Sequence, residues 1–491
     1  MRGILASGGL GPTGRRCTAP SVSVATMFAG PTLAQWLTLH GLVTAVAVLL
    51  YVLTSHVMHQ RRHPAAAIAW MLFILLLPYL ALPAFLTFGS RKLKRPRSAM
   101  PPDPSVARGG DSWAVETIVA LGQPLPAAYS ELNLHEDGRA AQRALLDTIA
   151  AARSSIDLCT FILGHDSLGD AVLDRLCEKA RSGVAVRLLL DGMGRWMGGR
   201  GDLKRLTALG GACVLFVPPL RSPLKGRTNL RDHRKLLVTD AALGTGRLWC
   251  GGRNLKTEYF EGEPGTPPWR DLSFDVRGPL VEQAAALFEH DWAFATGQTA
   301  GVQAPALPDA RSPMDGAQIV ASGPDQMDDT VYALLVTAAY RARRRIALAT
   351  PYFVPESALL MALCMAARRG VVVDLLLPAR SNHRLSDLAR GRAVRSLAQA
   401  GGRVWLAPDM LHAKLAVIDD ALALAGSANL DSRSLFLNYE LMVAFHKAGD
   451  VQRFAAWFDR QRESARHHSP TPPGLVRDVA EGMLLWVGFQ L

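Results

Sequence analysis

His233-Arg234-Lys235-Leu236-Leu237-Val238-Thr239-Asp240 and His412-Ala413-Lys414-Leu415-Ala416-Val417-Ile418-Asp419 decide how this chain folds. Both read H-x-K-x4-D. A Gly-rich turn ending in Asn follows each: Gly251-Gly252-Arg253-Asn254, then Gly426-Ser427-Ala428-Asn429. The centre of each motif is apolar and partly β-branched, as in a buried strand. On a strand, residues i and i+2 share a face. His233 and Lys235 therefore project together, as do His412 and Lys414. An imidazole beside a cation suits a phosphate site. Imidazole attacks phosphorus or carries a proton near neutral pH. The ammonium offsets the charge on non-bridging oxygens. Asn254 and Asn429 are expected to add amide donors, and Ser427 a hydroxyl where the first copy has Gly252.

The sequence around the motifs is also duplicated. Helix, strand, helix, Gly183 and strand precede the first copy over 141–190. Helix, strand, helix, Gly370 and strand precede the second over 333–377. So long a period is a duplicated domain, not a solenoid. The expected fold class is α/β, with two similar sandwich halves, 126–305 and 306–491, forming one active site.

The chain has 491 residues, 49% of them hydrophobic and 20% charged, with formal net charge +12. Arginines supply most of the excess, 45 against 9 lysines. Such a charge suits an anionic partner, nucleic acid or membrane. The six cysteines form no C-x-x-C pair, so neither a zinc site nor a disulfide framework is indicated. His56, His59 and His63 read as interfacial histidines rather than a metal site.

The N-terminal third differs. Residues 1–26 are Gly/Ser/Arg-rich, and either Met1 or Met27 is the start. Over 27–90 two uncharged runs, 37–57 and 65–88, are each long enough to cross about 30 Å of hydrocarbon. They predict a transmembrane hairpin with a polar turn at 58–64. The cluster Arg91, Lys92, Lys94, Arg95 and Arg97 opens a basic, Pro-rich linker over 91–125. By the positive-inside rule it places both ends in the cytoplasm. Such a tether argues against a nuclease. The basic run at Arg341 and Arg343–Arg345 reads equally as a solvated face or a lipid contact, and the apolar C-terminal tail from Val476 is expected to dock on the core.

The paired motifs resemble the signature of the phospholipase D superfamily, and bacterial cardiolipin synthases within it. Trp269-Arg270-Asp271, Thr350-Pro351-Tyr352-Phe353-Val354-Pro355, the run from Gly426 to Ser434 and Asn438-Tyr439-Glu440 carry the resemblance. It implies an integral protein of the bacterial inner membrane that joins two phosphatidylglycerol molecules through a phosphatidyl-histidine, with no cofactor or metal and no nucleic-acid partner. The motif residues alone are symmetric; the resemblance makes His233 the nucleophile and His412 the acid/base. Lys235, Lys414, Asn254, Asn429 and Ser427 then hold the phosphate, and Asp271 and Glu440 orient the histidines. Asp240 and Asp419 complete the catalytic motifs, with a structural part expected, tying the strands to neighbouring basic groups. A hydrolytic phospholipase D and a silent membrane scaffold are the rival readings; oligomeric state is open. One departure stands out: ten residues separate Asp240 from Gly251, against six between Asp419 and Gly426, so a longer hairpin tip is expected in the first half.

Overall fold

A computed structural model describes residues 33–57, 64–88, 112–199, 201–218, 229–298, 315–326 and 328–487. The alternative starts, the hairpin turn at 58–63, the basic cluster at 91–97 and most of the linker between the halves lie outside them.

Leu33–Val57 is one helix, starting four residues before the expected run. Its window Trp36–Leu53 has mean hydropathy 2.0 and is 11% buried. Among the described residues it is the one helix long and apolar enough to cross a membrane. The expected second span is broken. Pro64–Leu76 and Pro78–Phe88 are separate helices. Pro78 has no N–H for the carbonyl of Ile74, and the ladder stops at Leu77. The pieces still pack as a hairpin. Ala47 and Tyr51 of the first helix bury against Ile74, Ala81 and Phe85, while Leu37, Leu49, Leu72 and Leu80 stay exposed. That apolar exterior is the reverse of a soluble hairpin.

The remaining chain repeats one sheet plan. In the first half Ser155–Thr160, Ala185–Asp191 and Ala212–Phe216 run parallel. The motif strand Leu236–Thr239 lies antiparallel beside Ser155–Thr160. Arg247–Gly251, Ser273–Arg277 and Ser130–His135 continue the sheet outward. The second half follows the same order. Arg345–Ala349, Val372–Pro378 and Arg403–Ala407 are parallel. Leu415–Ile418 runs antiparallel beside the first of these. Leu422–Gly426, Asn438–Phe445 and Ala317–Ser322 complete the series. The inner faces share one core, in which Leu236, Phe274 and Trp292 meet Leu415, Phe445 and Trp457.

Two boundaries differ from expectation. Trp113–Ala120, assigned to the linker, is a helix capped by Ser112. Its Ala114 and Ile118 pack into the second half beside Leu334 and Leu335. Gln123 completes the graft by accepting from the backbone N–H of Ala321. The tail helix Leu475–Val487 does dock, but through acidic residues. Asp478 and Glu481 pair with Arg392 and Arg395, leaving Leu475, Val476 and Val479 exposed.

The motif aspartates end the motif strands, remote from the histidines. Both sit in the left-handed region, at φ 49° and 50°, which Asp tolerates better than most residues. Asp240 accepts from the backbone N–H groups of Arg153, Ser154 and Ser155 at 2.7–3.0 Å. Asp419 does the same for Arg343, Arg344 and Arg345 at 2.8–2.9 Å. These contacts supply the expected structural part, while the expected pairing with basic side chains is corrected: the partners are main-chain amides. The basic run before the second strand is likewise partly structural, with Arg345 paired to Asp459. Burial works to raise the Asp240 carboxyl, yet the amides hold it below its usual range. Asp240→Ala is expected to cost about 2–4 kcal/mol, from lost charge-assisted bonds and a strained backbone. Thermal unfolding would reveal it as a lower Tm with turnover per folded molecule unchanged; a folded variant with lost turnover would place Asp240 in the catalytic set.

The extra residues between Asp240 and Gly251 form a turn, Ala241–Leu243 closed by Gly244 at φ 68°. The pairing nearest the site is unaltered: Leu236 faces Cys250 as Leu415 faces Ala425. The longer tip leaves the Gly-Asn turn in place.

Candidate active site

Both motif histidines lie beyond the carboxyl ends of the parallel strands, because the antiparallel motif strand starts where its neighbour ends: Leu236 opposite Cys159, Leu415 opposite Ala349. Open α/β sheets place their sites at that end.

The halves are then crossed. The His233 N–H donates to the carbonyl of Tyr439 at 2.9 Å, and the His412 N–H to that of Arg270 at 2.7 Å. Each of those carbonyls belongs to the residue just before the other half's carboxylate. The side chains follow the backbone. His233 Nδ1 lies 3.1 Å from Glu440 Oε2, and His412 Nδ1 lies 2.8 Å from Asp271 Oδ2. Arg231–Asp232 even joins the second-half sheet, pairing parallel with Asn438 and Tyr439. Asp271 and Glu440 thus orient the histidines across the interface.

The carboxylates are themselves fixed. Ser427 Oγ donates to Glu440 at 2.5 Å, Ser434 Oγ at 2.8 Å and Asn438 Nδ2 at 3.2 Å. Ser427 was expected on the phosphate; here its hydroxyl is spent on Glu440. The glycine in its place in the first half has a steric cause. A Cβ at Gly252 would stand 2.3 Å from Asp271 Oδ1. The shorter carboxylate comes with the smaller neighbour.

Lys235 and Lys414 are 1% and 2% exposed, both inside the site. Lys235 Nζ donates to the carbonyl of His233 at 2.6 Å and lies over the Phe161 ring. Lys414 Nζ donates to the carbonyl of His412 and stands 2.8 Å from its Nδ1 and 3.0 Å from its Nε2, close to both ring nitrogens. Asn254 Nδ2 donates to the Tyr259 hydroxyl at 2.8 Å, while the Oδ1 atoms of Asn254 and Asn429 are buried without a partner.

Burial dominates the electrostatics. It brings His233 down to about 4 and His412 to about 3, with the lysines adding to the effect and the carboxylates opposing it. Burial also lowers Lys235 to about 8 and Lys414 to about 7. Asp271 and Glu440 stay below the usual carboxylate range despite burial, held by histidines and lysines. Near neutral pH both imidazoles are therefore neutral, with Nδ1–H donated to an ionised carboxylate. Nε2 then faces inward. That of His233 has no hydrogen-bond partner among the described residues, while the His412 ring has the Lys414 ammonium close to both its nitrogens. The His233 side chain is also the more open, 12% exposed against 5%.

Some working parts have no expectation behind them. Phe161 stands edge-on to His233 at 5.0 Å, and Tyr259 and Trp269 wall His412 at 5.0 and 5.5 Å. Arg234, the variable residue of the first motif, is fully buried and pairs with Asp291. It donates to the Glu440 and Ser322 carbonyls, bracing the interface where the second motif has Ala413. Arg253 binds five oxygens, among them the carbonyl of Asp271 at 2.7 Å. An arginine inside an apolar motif was the only signal of either.

The family model described as cardiolipin synthase, PLD-like domain matches residues 145–292 and 335–462, one segment per half. Cardiolipin synthase A of Pseudomonas putida strain W619 is 31% identical over 454 residues, covering 88% of this chain and 93% of that protein. The chain belongs to the cardiolipin synthase family. Cardiolipin synthase A of Pseudomonas aeruginosa LESB58 is 31% identical over 90% of this chain and 93% of its own length. A model described as phospholipase D-nuclease N-terminal matches residues 43–90, the apolar hairpin that precedes the family's catalytic halves here. For the fold, the crystal structure of phosphatidylserine synthase from Haemophilus influenzae covers 74% of this chain and 97% of its own, with TM-score 0.57 at 12% identity.

Proposed function

We propose that the crossed site transfers a phosphatidyl group between two phosphatidylglycerol molecules, giving cardiolipin and glycerol. Family membership supports the reaction class, a phosphatidyl transfer between lipids. The observation that carries the reading is a pair of histidines, each fixed by the other half's carboxylate.

His233 Nε2 attacks phosphorus of the first lipid, and the bond from phosphorus to the headgroup glycerol oxygen breaks. The departing oxygen takes a proton from the Lys414–His412 pair. Burial has brought that ammonium close to neutrality, so its proton is mobile through the adjacent imidazole. A phosphatidyl-histidine remains. The glycerol hydroxyl of a second phosphatidylglycerol then attacks phosphorus, gives its proton back to His412, and the P–N bond breaks. Lys235 offsets charge on the non-bridging oxygens throughout. The apolar hairpin is proposed to hold the enzyme in the bacterial inner membrane, crossing twice with the catalytic body on the cytoplasmic side.

The direct test incubates the purified protein in phosphatidylglycerol vesicles with chelator. Cardiolipin and glycerol in equal amounts support the transfer; phosphatidic acid without cardiolipin replaces it with hydrolysis. The pH profile is a second test. Attack needs His233 neutral, so kcat/KM falls below about pH 4. Donation needs Lys414 charged, so it falls again as pH rises through about 7. An acid limb near pH 6.5, the ordinary histidine value, would contradict the buried, lysine-flanked site.

A further inference from the structure

The site's rim carries large apolar side chains in water. The short helix Gly192–Met197 follows the strand Ala185–Asp191 at the end of the sheet where the histidines sit. One face of it is glycine for a reason. A Cβ at Gly194 would stand 1.6 Å from the carbonyl oxygen of Phe161, and one at Gly198 would stand 2.1 Å from that of Leu163. Phe161 is the residue that touches His233. The helix therefore lies directly on the wall of the site. Its other face presents Trp196 and Met197, 79% and 54% exposed. Among the described residues of the catalytic halves, no other tryptophan is an exposed large apolar residue.

The second half repeats the arrangement with different residues. After the strand Val372–Pro378 the chain turns through Asn382 and His383, which hold Tyr352 by a 2.6 Å hydrogen bond and a ring contact. Leu385 follows, 54% exposed. Both rim segments lack acidic residues. Residues 192–199 carry Arg195, and residues 379–385 carry Arg380 and Arg384. Isolated exposed apolar residues are ordinary. Trp, Met and Leu set among arginines on both sides of one phosphate site are the composition of a surface that inserts shallowly into anionic lipid.

We infer that Trp196, Met197 and Leu385, with Arg195, Arg380 and Arg384, form a docking surface for the face of an anionic phospholipid bilayer, seating the site mouth on its substrate. The inference rests on the phospholipid reading of the site. A lipid whose acyl chains stay in the bilayer can bring its phosphate to a buried Nε2 only where the mouth meets the membrane. An indole and a thioether at that junction exclude water around the headgroup being drawn out.

The test compares two substrates on the full-length protein in nanodiscs holding one copy each. One is bilayer phosphatidylglycerol, the other dihexanoyl-phosphatidylglycerol below its micelle concentration. The variant Trp196→Ser/Met197→Ser/Leu385→Ser is expected to lose about tenfold in turnover on the bilayer lipid and under about twofold on the soluble one. Equal losses on both would make the rim part of the catalytic wall, and no loss on either would remove the docking surface; both overturn the inference. A second readout is independent of turnover. An environment-sensitive dye on Trp196→Cys, in a Cys17→Ala/Cys213→Ala background, should shift to the blue in discs of anionic lipid and less in zwitterionic ones. A dye that stays in water overturns the docking surface. Dye immersion in an enzyme that makes no cardiolipin would keep the surface and sink the proposed reaction instead.

Discussion

His233→Ala is expected to lower cardiolipin formation by about 10⁴-fold or more, the scale seen when a covalent nucleophile is removed, and to abolish any phosphatidyl-enzyme adduct. The two motif histidines look interchangeable in the sequence; their surroundings separate them. The Lys414 ammonium stands within 3.0 Å of both ring nitrogens of His412, while Nε2 of His233 has no hydrogen-bond partner among the described residues and its side chain is the more open. An imidazole with an ammonium against its ring is a poor nucleophile but a good proton relay. His412→Ala should therefore be nearly as slow in turnover, yet still show an adduct in rapid-quench labelling with acyl-labelled phosphatidylglycerol. Adduct in His233→Ala and none in His412→Ala would reverse the assignment.

Glu440→Gln and Asp271→Asn should each cost about 10³–10⁴-fold, as when a carboxylate is neutralised behind a catalytic imidazole, but they should differ in the steps they slow. Glu440 holds Nδ1–H of His233, so Glu440→Gln slows formation of the adduct. Asp271 holds His412, which supplies a proton in the first step and takes one in the second, so Asp271→Asn slows both formation of the adduct and its transfer. The crossing is the point under test. Were each carboxylate to serve the histidine of its own half, the two phenotypes would exchange. Each variant also leaves buried lysines short of a counter-charge, so both should melt lower than the parent protein. Normalising the rates to folded protein separates the two effects.

Much of this was legible in the sequence. The repeated H-x-K-x4-D, each copy on an apolar strand, announced two α/β halves around one phosphate site, and both carboxylates were named. What could not be read was which groups touch. His233 and Glu440 are 207 residues apart, and periodicity carries no information over that distance. The Ser427 bond to Glu440 was not legible because a hydroxyl beside a phosphate motif has two plausible partners, and a sequence does not show which carboxylate packs against it. Asp240 and Asp419 were tied to basic residues rather than to those residues' own amides, since a sequence names side chains and not the main chain. The helix Trp113–Ala120 was read as linker because eight residues carry little pattern and its core partners, such as Leu334, come more than two hundred residues later. The break at Leu77 was visible as Pro78 but was overridden by the uniform hydropathy around it.

The exchange of carboxylates between halves has a consequence for synthesis. A ribosome adds roughly 5–20 residues per second, so His233 emerges roughly 10–40 s before Glu440 exists. During that interval the first sheet can form, but its histidine lacks the anion that orients it, and the segment 113–120 has no core to enter. The nascent chain therefore carries an inert nucleophile past its substrate membrane. Activity arrives all at once, when the last third of the polypeptide closes contacts of long sequence separation, which are the slow ones in folding. A message truncated before codon 440 would yield a stable-looking half with no chemistry, and two separately expressed halves would be silent alone and active only when mixed.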